Sequence, residues 1–363
     1  MSKVLPAHKA FYPAAALYAA LALPVSVLAM TGHPGALAAL ADPMGHAHEM
    51  LLGFALAVVA GNQLGVVGGR RVAVLLALWL AARVAFLASP AGLAAGALNA
   101  AFAGGLALHV APRLFGSAKK LRNQALPAVL AALCVAGASW PLARRAGLSH
   151  ELLLATVMLF ALLMLFMGGR IIAPAVAGQL HRQGERLDAR VQPRLEAALL
   201  ISGGVALLSI GIFETGTLDA AAMAACGLLA AMRMARWRLW ALRGRADLLC
   251  LAAGHGWLAA GLLALAVSLV LKRHETAAVH LITVGALGTL TFNVMAMSWL
   301  LKAHRAPGGS PPVVHGTVLI AAATLCRVIG AFQSQAWLLA AAGCWAAAYA
   351  VLLALFWRAS DKT

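Results

Sequence analysis

The sequence has little charge. Only 11% of its residues are Asp, Glu, Lys or Arg, and the acidic side chains number 11 against 28 basic ones. Soluble domains carry about 25% charged residues and about 45–50% apolar ones, whereas 63% of this chain is apolar. A soluble fold of 363 residues has too little interior to bury that much apolar surface. The composition therefore excludes a soluble globular protein and predicts a membrane protein.

Cysteines with metal-binding spacing and long hydrophilic segments are also missing. The five cysteines lie far apart inside apolar runs and form no CxxC pair, so we interpret them as small buried side chains. The longest hydrophilic stretch, Gln179 to Arg194, is only a short loop of mixed charge. The net charge of +17 would suit a nucleic-acid partner, but the basic residues lie between apolar runs. We therefore expect the lipid bilayer as partner and no nucleic acid.

Apolar runs of about 17–25 residues, the length that spans a bilayer as a helix, follow one another along the chain. They predict an all-α polytopic bundle of about twelve helices in one transmembrane domain, residues 1–363. The first run follows Lys3 and Lys9 as in a signal peptide, but its length favours an uncleaved helix. The predicted helices are 12–32, 46–68, 72–89, 92–112, 123–142, 150–175, 195–214, 217–237, 246–271, 276–301, 313–331 and 334–357.

The basic loops test this count, because cytoplasmic loops carry an excess of Lys and Arg. With twelve helices, nearly all of the excess positive charge falls on one side, and the loops on the other side are close to neutral. We therefore expect a multi-pass protein of the bacterial inner membrane, with both termini in the cytoplasm. The breaks near Ser89 and near Gln333 are weak, so two neighbouring predicted helices could be missing. The loss of one such hairpin would leave the charge partition nearly unchanged, so ten helices stay possible.

Ionisable side chains inside the membrane are costly and usually mark functional positions. The second predicted helix begins on the outer side with His46, His48 and Glu49, and the tenth places His280 about 1.5 turns inside that face. The ninth places His255 near mid-depth. Two arginines, Arg83 and Arg327, lie well inside the third and eleventh runs.

Histidines at similar depth on two helices suit the axial ligation of a haem iron. We expect His48 and His280 to fill this role, with His255 as a further candidate. The Gly-rich segment after His280 would leave room for a flat ring. On a helix His46 and His48 point about 200° apart, whereas His46 and Glu49 share a face. We favour His48 because it is deeper, but the sequence leaves the choice between His46 and His48 open.

The remaining ionisable residues fit around such a site. The arginines Arg83 and Arg327 are candidate partners for haem propionates or for a buried carboxylate. The side chain of His46 is a candidate ligand for copper or a second iron. With His48, His255, His280 and Glu49 it completes the predicted set of metal ligands.

Four segments resemble signatures of the NnrS family. The segment from His46 to Ala55, HAHEMLLGFA, is similar to the family's HxHEMLFGF. The segment that starts at His280, HLITVGALGTLT, resembles its HAxTVGAIGTMT. The run MGGRIIAP from Met167 is similar to GGRIIP, and His255-Gly-Trp-Leu resembles LHxGYxW. Spacing and helix number match along nearly the whole chain.

The resemblance implies a twelve-helix inner-membrane protein that contains haem b, with copper as a second candidate metal. It also implies a link to nitric oxide and nitrosative stress, with nitric oxide as a small-molecule ligand. The overall plan is similar to subunit I of haem–copper oxidases, in which helices two and ten supply axial histidines. Helices six and seven of this chain lack interior histidines, so an oxidase-type copper centre is not expected. The redox partner, and whether the protein is an enzyme, stay open.

Three functions are compatible with these features. The first is a haem protein that senses, scavenges or converts nitric oxide. The second is a transporter of a small molecule or metal ion that uses the intramembrane His and Glu residues, although the two halves show no internal repeat. The third is a scaffold that carries haem or copper only in transit. Tightly bound haem would separate the first from the third.

Overall fold

A computed structural model describes residues 4–32, 37–118, 121–212, 216–242 and 244–360. The chain is 87% helical, and in its described part twelve helices are long and apolar enough to cross a membrane. The predicted fold class, an all-α polytopic membrane bundle, is confirmed. We label the helices α1 to α12: Ala7–Met30, Pro43–Gln63, Gly69–Ala88, Leu93–Ser117, Asn123–Ala146, Ser149–Arg182, Asp188–Ile210, Gly216–Ala241, Ala246–Leu271, Glu275–Lys302, Pro311–Gly330 and Gln335–Ala359.

The helix ends follow local chemistry. A turn closed by the Gly92 amide, which donates to the Ser89 carbonyl at 2.9 Å, separates α3 from α4. The two largest differences from the predicted ranges are at the start of α7, which begins at Asp188 instead of near residue 195, and at the end of α6, which continues to Arg182 instead of ending near residue 175. Arg170 and Pro174 lie near the predicted end. The helix instead continues through both, because Pro174 lies in the first turn of a new α-helical stretch, where its missing N–H costs little.

The chain divides into two compact units, Met1–Thr156 and Val157–Thr363. The first contains α1 to α5 and the start of α6, and the second contains the rest of α6 and α7 to α12. The prediction of a single domain over residues 1–363 stays a prediction.

A small sheet ties the beginning of the first unit to the α2–α3 connection. Strand β1, Val4–Pro6, pairs antiparallel with strand β2, Val66–Gly68. Beside it, the Ala7 amide donates to the Gly65 carbonyl at 2.8 Å, and Arg113 near the end of α4 donates to the Leu64 carbonyl at 2.9 Å. The start of α1, the α2–α3 connection and the end of α4 therefore lie on one side of this unit.

In the second unit, polar contacts likewise bring basic residues between the helices together on one side. Arg245 donates to both carboxylate oxygens of Asp247, at 2.9 and 2.7 Å, and to Gln179 of α6 at 3.1 Å. The hydrogen bonds that Asp247 accepts raise the pKa of Arg245, so this arginine stays charged. At the opposite end, His274 packs on Phe332 with ring centroids 4.7 Å apart.

The contacts in both units agree with the predicted partition of loops between the two sides. The orientation of those sides in a membrane stays a prediction. Some of the charges behind it lie outside the residues, or the side chains, that the structure describes: Lys3, Lys119, Lys120, Arg122, Glu214, Arg243, Asp361 and Lys362.

Three of the spanning helices contain a π-helical segment. In the described part of the chain these segments are Glu49–Ala55 in α2, Gly168–Ile172 in α6 and Leu281–Gly288 in α10. A π-helical turn bonds residue i to i+5 and is frequent at functional sites. The sequence had predicted ordinary α-helix at all three places. Each segment lies within, or directly follows, a motif that carries the family resemblance.

Candidate functional site

A buried carboxylate, Glu49, organises the polar centre of the first unit. Its side chain has no exposed surface and accepts hydrogen bonds from three neighbours. One oxygen, Oε1, accepts from Nδ1 of His48 at 2.8 Å and from Nη1 of Arg83. The other, Oε2, accepts from the hydroxyl of Tyr18 on α1. An ionised carboxylate in a low-dielectric interior is tolerable only when it is paired in this way.

The arginine of this group is held by a second set of contacts. Nη2 of Arg83 donates to Oδ1 of Asn99 on α4, and Nδ2 of Asn99 donates to the Ala95 carbonyl at 2.9 Å. A Cβ at Gly53 would lie 2.7 Å from Nη1 of Arg83, so only glycine leaves room for the guanidinium there. Trp79 contacts the same glycine, because its Nε1 donates to the Gly53 carbonyl at 2.9 Å.

His48 lies between two aromatic rings in the same centre. Its ring is parallel to Phe86, 7° apart with centroids separated by 4.3 Å, and lies 4.7 Å from the ring of Trp140. Because the Glu49 carboxylate can only accept, Nδ1 of His48 carries the proton. Nε2 therefore carries the lone pair, and in the described part of the chain this fully buried atom has no hydrogen-bond partner.

His46 has different neighbours. Its Nδ1 lies 2.9 Å from the hydroxyl of Ser26 on α1, and that hydroxyl donates to the Leu40 carbonyl at 2.7 Å. The two histidines of the HAHE segment thus contact different parts of the unit, as residues two positions apart on a helix should. His46 therefore lies in the contact between α1 and α2, whereas His48 lies in the buried polar centre around Glu49.

In the second unit, His280 stands directly before the π-helical segment of α10. Its Nδ1 lies 2.6 Å from the Thr276 carbonyl, which can only accept, so Nδ1 carries the proton and Nε2 the lone pair. Like His48, His280 is five residues from the start of its helix, about 8 Å along the axis.

The glycines that follow His280 serve helix packing. A Cβ at Gly285 would lie 3.0 Å from Trp257, and one at Gly288 would lie 2.7 Å from Trp345. The expected room for a flat ring on this face is therefore filled by tryptophans of α9 and α12.

Arg327 lies at nearly the same level as His280. The antiparallel register of α10 and α11 follows from Gly285 beside Thr324 and Gly288 beside Ile320. This register puts Arg327 beside position 282 of α10. The side chain is half-buried, and among the described residues it makes no ion pair or hydrogen bond. An unpaired guanidinium at this depth is costly.

His255 lies on α9, fully buried against Trp237 of α8 with ring centroids 4.9 Å apart. Neither ring nitrogen forms a hydrogen bond of normal geometry with the described residues, although the Ala230 backbone interacts with the ring. A Cβ at Gly168 would lie 3.0 Å from the imidazole. The glycine pair of the GGRII segment thus makes the space that His255 and its neighbours occupy.

The structure therefore brings together three of the predicted site residues, His48, Glu49 and Arg83, in the first unit. His46 is close in sequence but has other contacts. His280, Arg327 and His255 belong to the second unit. Within the described residues, no three His, Cys, Asp or Glu side chains come together as a metal site. The metal and cofactor roles given to these residues stay predictions.

Sequence reasoning missed several residues of these groups. Tyr18 and Asn99 hold the Glu49–Arg83 pair, and Arg233 and Trp237 surround His255. Asn99 had a usable signal, since it is a lone amide within an apolar run. Arg233 lies near the end of a predicted helix, where a basic residue suits a cytoplasmic loop, yet it is 3% exposed.

Comparison with known proteins identifies a family for this chain. No curated protein matches the chain. The family model described as "NnrS protein" matches residues 5–360, almost the whole chain and all three π-helical segments. The predicted resemblance is confirmed, and the chain belongs to the NnrS family.

Proposed function

We propose that this protein binds haem b, with His48 in the first unit and His280 in the second each as a ligand to haem iron, and that it binds nitric oxide at haem as part of the response to nitrosative stress. The NnrS family suggests a role in the nitric oxide response. The observation that carries the proposal is the state of His48: a buried imidazole with a proton on Nδ1, a carboxylate on that proton and an unpartnered Nε2.

This arrangement fits a metal ligand. Histidines that ligate metals almost always donate their other ring N–H to a carboxylate or a carbonyl, which fixes the tautomer and raises the basicity of the ligating nitrogen. His48 donates to Glu49, and His280 donates to the Thr276 carbonyl. Each histidine thus has the tautomer that directs Nε2 toward a metal, from a helix that turns π-helical immediately afterwards.

The arginines separate into two roles. The Nη1 and Nη2 atoms of Arg83 donate to Glu49 and Asn99, and its charge balances the buried carboxylate. Arg327 has no such partner in the described chain and lies near the level of His280. We therefore assign Arg327 to a haem propionate and Arg83 to Glu49.

When bound, ferrous haem supplies an iron that takes nitric oxide as a ligand. The chain's contribution would be to hold the ligating nitrogens rigidly and to exclude water. Phe86 and Trp140 fix the His48 ring in a dry environment. Glu49 holds its tautomer, and the Tyr18 and Arg83 contacts hold Glu49 in turn.

The test is the absorption spectrum of the protein purified in detergent after haem-replete expression. We expect a Soret band, a pyridine haemochrome of the b type, and a spectral shift when nitric oxide is added to the reduced protein. Copper is measured in the same preparation. Substitutions His48→Ala and His280→Ala should each remove or strongly alter the Soret band, whereas His150→Ala, at an exposed position, should leave it unchanged.

Two results would count against the proposal. Wild-type protein without a Soret band would exclude haem binding altogether. A normal spectrum in either the His48 or the His280 variant would show that the axial assignment is wrong.

A further inference from the structure

Four buried nitrogen atoms that lack a hydrogen bond of normal geometry lie together inside the second unit. They are Nε of Arg233, Nε1 of Trp237, and Nδ1 and Nε2 of His255, and none forms a hydrogen bond of normal geometry within the described chain. Their side chains are 3%, 0% and 0% exposed, respectively. Buried polar atoms are nearly always satisfied by protein or by ordered water, so four in one place require an explanation.

The three side chains form one cluster. The rings of Trp237 and His255 are 4.9 Å apart, and Cζ of Arg233 lies 5.8 Å from the Trp237 ring. The glycine pair of α6 borders the cluster from one side: a Cβ at Gly168 would lie 3.0 Å from the His255 ring, and one at Gly169 would overlap the Arg233 guanidinium.

The rest of Arg233 is well bound. Its Nη1 donates to the Leu165 carbonyl at 2.7 Å, and its Nη2 lies 3.4 Å from Oε1 of Glu196. These contacts fix the guanidinium and leave Nε–H without an acceptor. The Glu196 side chain is 27% exposed, so it connects the cluster with the surface of the unit.

The balance of donors and acceptors indicates what binds there. Arg233 and Trp237 each offer one N–H, and a neutral His255 offers one N–H and one lone pair. A metal cation would find a single lone pair beside a guanidinium that repels it. An anion is not needed to balance the charge of Arg233, because Glu196 already supplies a negative charge beside it. Water both accepts and donates, so it is the ligand that satisfies all four atoms.

We infer that Arg233, Trp237 and His255 form an internal hydration site, in which ordered water molecules bind among the three side chains and reach the surface beside Glu196. Each of these buried polar groups would otherwise lose its hydration without a replacement partner, and lipid cannot supply the missing partners. The site gives His255 a role as a water-binding residue, separate from any haem ligand.

Radiolytic footprinting tests this on the detergent-purified, full-length protein. X-rays convert bound water into hydroxyl radicals, which oxidise the side chains next to it. Trp237 and Trp79 are a matched pair, because they are 0% and 1% exposed, but Nε1 of Trp79 donates to the Gly53 carbonyl. We expect mass spectrometry to show Trp237 oxidised several-fold faster than Trp79. Equal, slow oxidation of both tryptophans would overturn the proposal.

Variants at His255 provide a second measurement. His255→Leu removes two of the four polar atoms and should lower the oxidation rate of Trp237, whereas His255→Gln keeps polar atoms and should retain it. The rate at Trp79 and elution as a single species by size exclusion show that each variant is folded. The matched control is His181→Leu, at an exposed position of α6. A Trp237 rate that stays at the wild-type value in folded His255→Leu would also overturn the proposal.

Discussion

Glu49 is an ionised carboxylate in a buried, low-dielectric environment that disfavours charge. Moving a carboxylate out of water costs several kcal/mol even after relaxation. The three donors, from Tyr18, His48 and Arg83, offset that cost, and Asn99 holds the arginine in place. The contacts form a chain, so the loss of any one leaves another polar group unsatisfied.

The ion pair of Glu49 and Arg83 gives the first prediction. Glu49→Gln should lower the free energy of unfolding by about 3–5 kcal/mol, because it leaves the buried Arg83 without its counter-charge. Unfolding of the detergent-solubilised protein, followed by circular dichroism, measures the change. Glu151→Gln, at an exposed position of the same unit, should change stability by less than about 0.5 kcal/mol.

A double-mutant cycle separates the pair from the individual side chains. Adding Arg83→Met to Glu49→Gln removes the uncompensated charge, so the double variant should be less destabilised than the sum of the single ones. Equal stability of Glu49→Gln and Glu151→Gln would contradict the buried pair.

At this scale the sequence predicted the unusual residues better than their partners. His48, Glu49 and Arg83 were identified because ionisable groups in apolar runs are rare. The sequence also predicted that His46 and His48 would have different contacts, because helical geometry separates them. The contacts of Tyr18 with Glu49 and of Asn99 with Arg83 join residues 31 and 16 positions apart. Such pairs depend on how helices pack, which composition and periodicity do not encode.

The π-helical segments are the main feature at the scale of the elements. A π turn is wider than an α turn and shifts the residues after it around the helix axis. The segments in α2 and α10 begin one residue after His48 and His280. The segment in α6 places Gly168 and Gly169 against His255 and Arg233. The sequence showed no sign of them, because, apart from Glu49 and Arg170, their residues resemble those of ordinary spanning helices.

The second prediction concerns two glycines of α6. A methyl group at Gly169 would overlap Nη2 of Arg233, so Gly169→Ala should displace the guanidinium and destabilise the protein by about 1–3 kcal/mol. At Gly178 no atom lies within 4 Å of the added Cβ, so Gly178→Ala should be neutral or stabilising by up to about 1 kcal/mol.

Thermal unfolding followed by tryptophan fluorescence compares the two variants directly. If Gly169→Ala were as stable as Gly178→Ala, Arg233 would not occupy the space beside Gly169.

At the scale of the whole molecule, the sequence predicted the number of helices, because length and apolar content decide it. It also assigned the loops to two sides of the membrane, and the contacts within each unit agree with that assignment. Arg238, near the end of α8, pairs at 2.5 Å with Glu185 of the α6–α7 connection, and Arg305 before α11 donates to the Arg358 carbonyl at 3.5 Å. The division into two units was not predicted, because it depends on long-range contacts.

The third prediction concerns orientation. If the basic loops are cytoplasmic, green fluorescent protein fused to the C-terminus should fluoresce, and alkaline phosphatase inserted at Arg273 in the α9–α10 connection should be active. Exchanging the two reporters between these positions is the control and should silence both. Activity of the exchanged pair would mean that the orientation is inverted.

The pairing of β1 with β2 has a consequence for biosynthesis. The partner of Val4 is Gly68, so the strand at the start of the chain cannot pair until α2 has been synthesised and inserted. Helix α1 must therefore remain in the bilayer without this pairing until a segment made more than 60 residues later is available. The start of α1 is fixed only when the two ends of that long loop meet. Helix α1 is thus made well before the strand that holds its start in place.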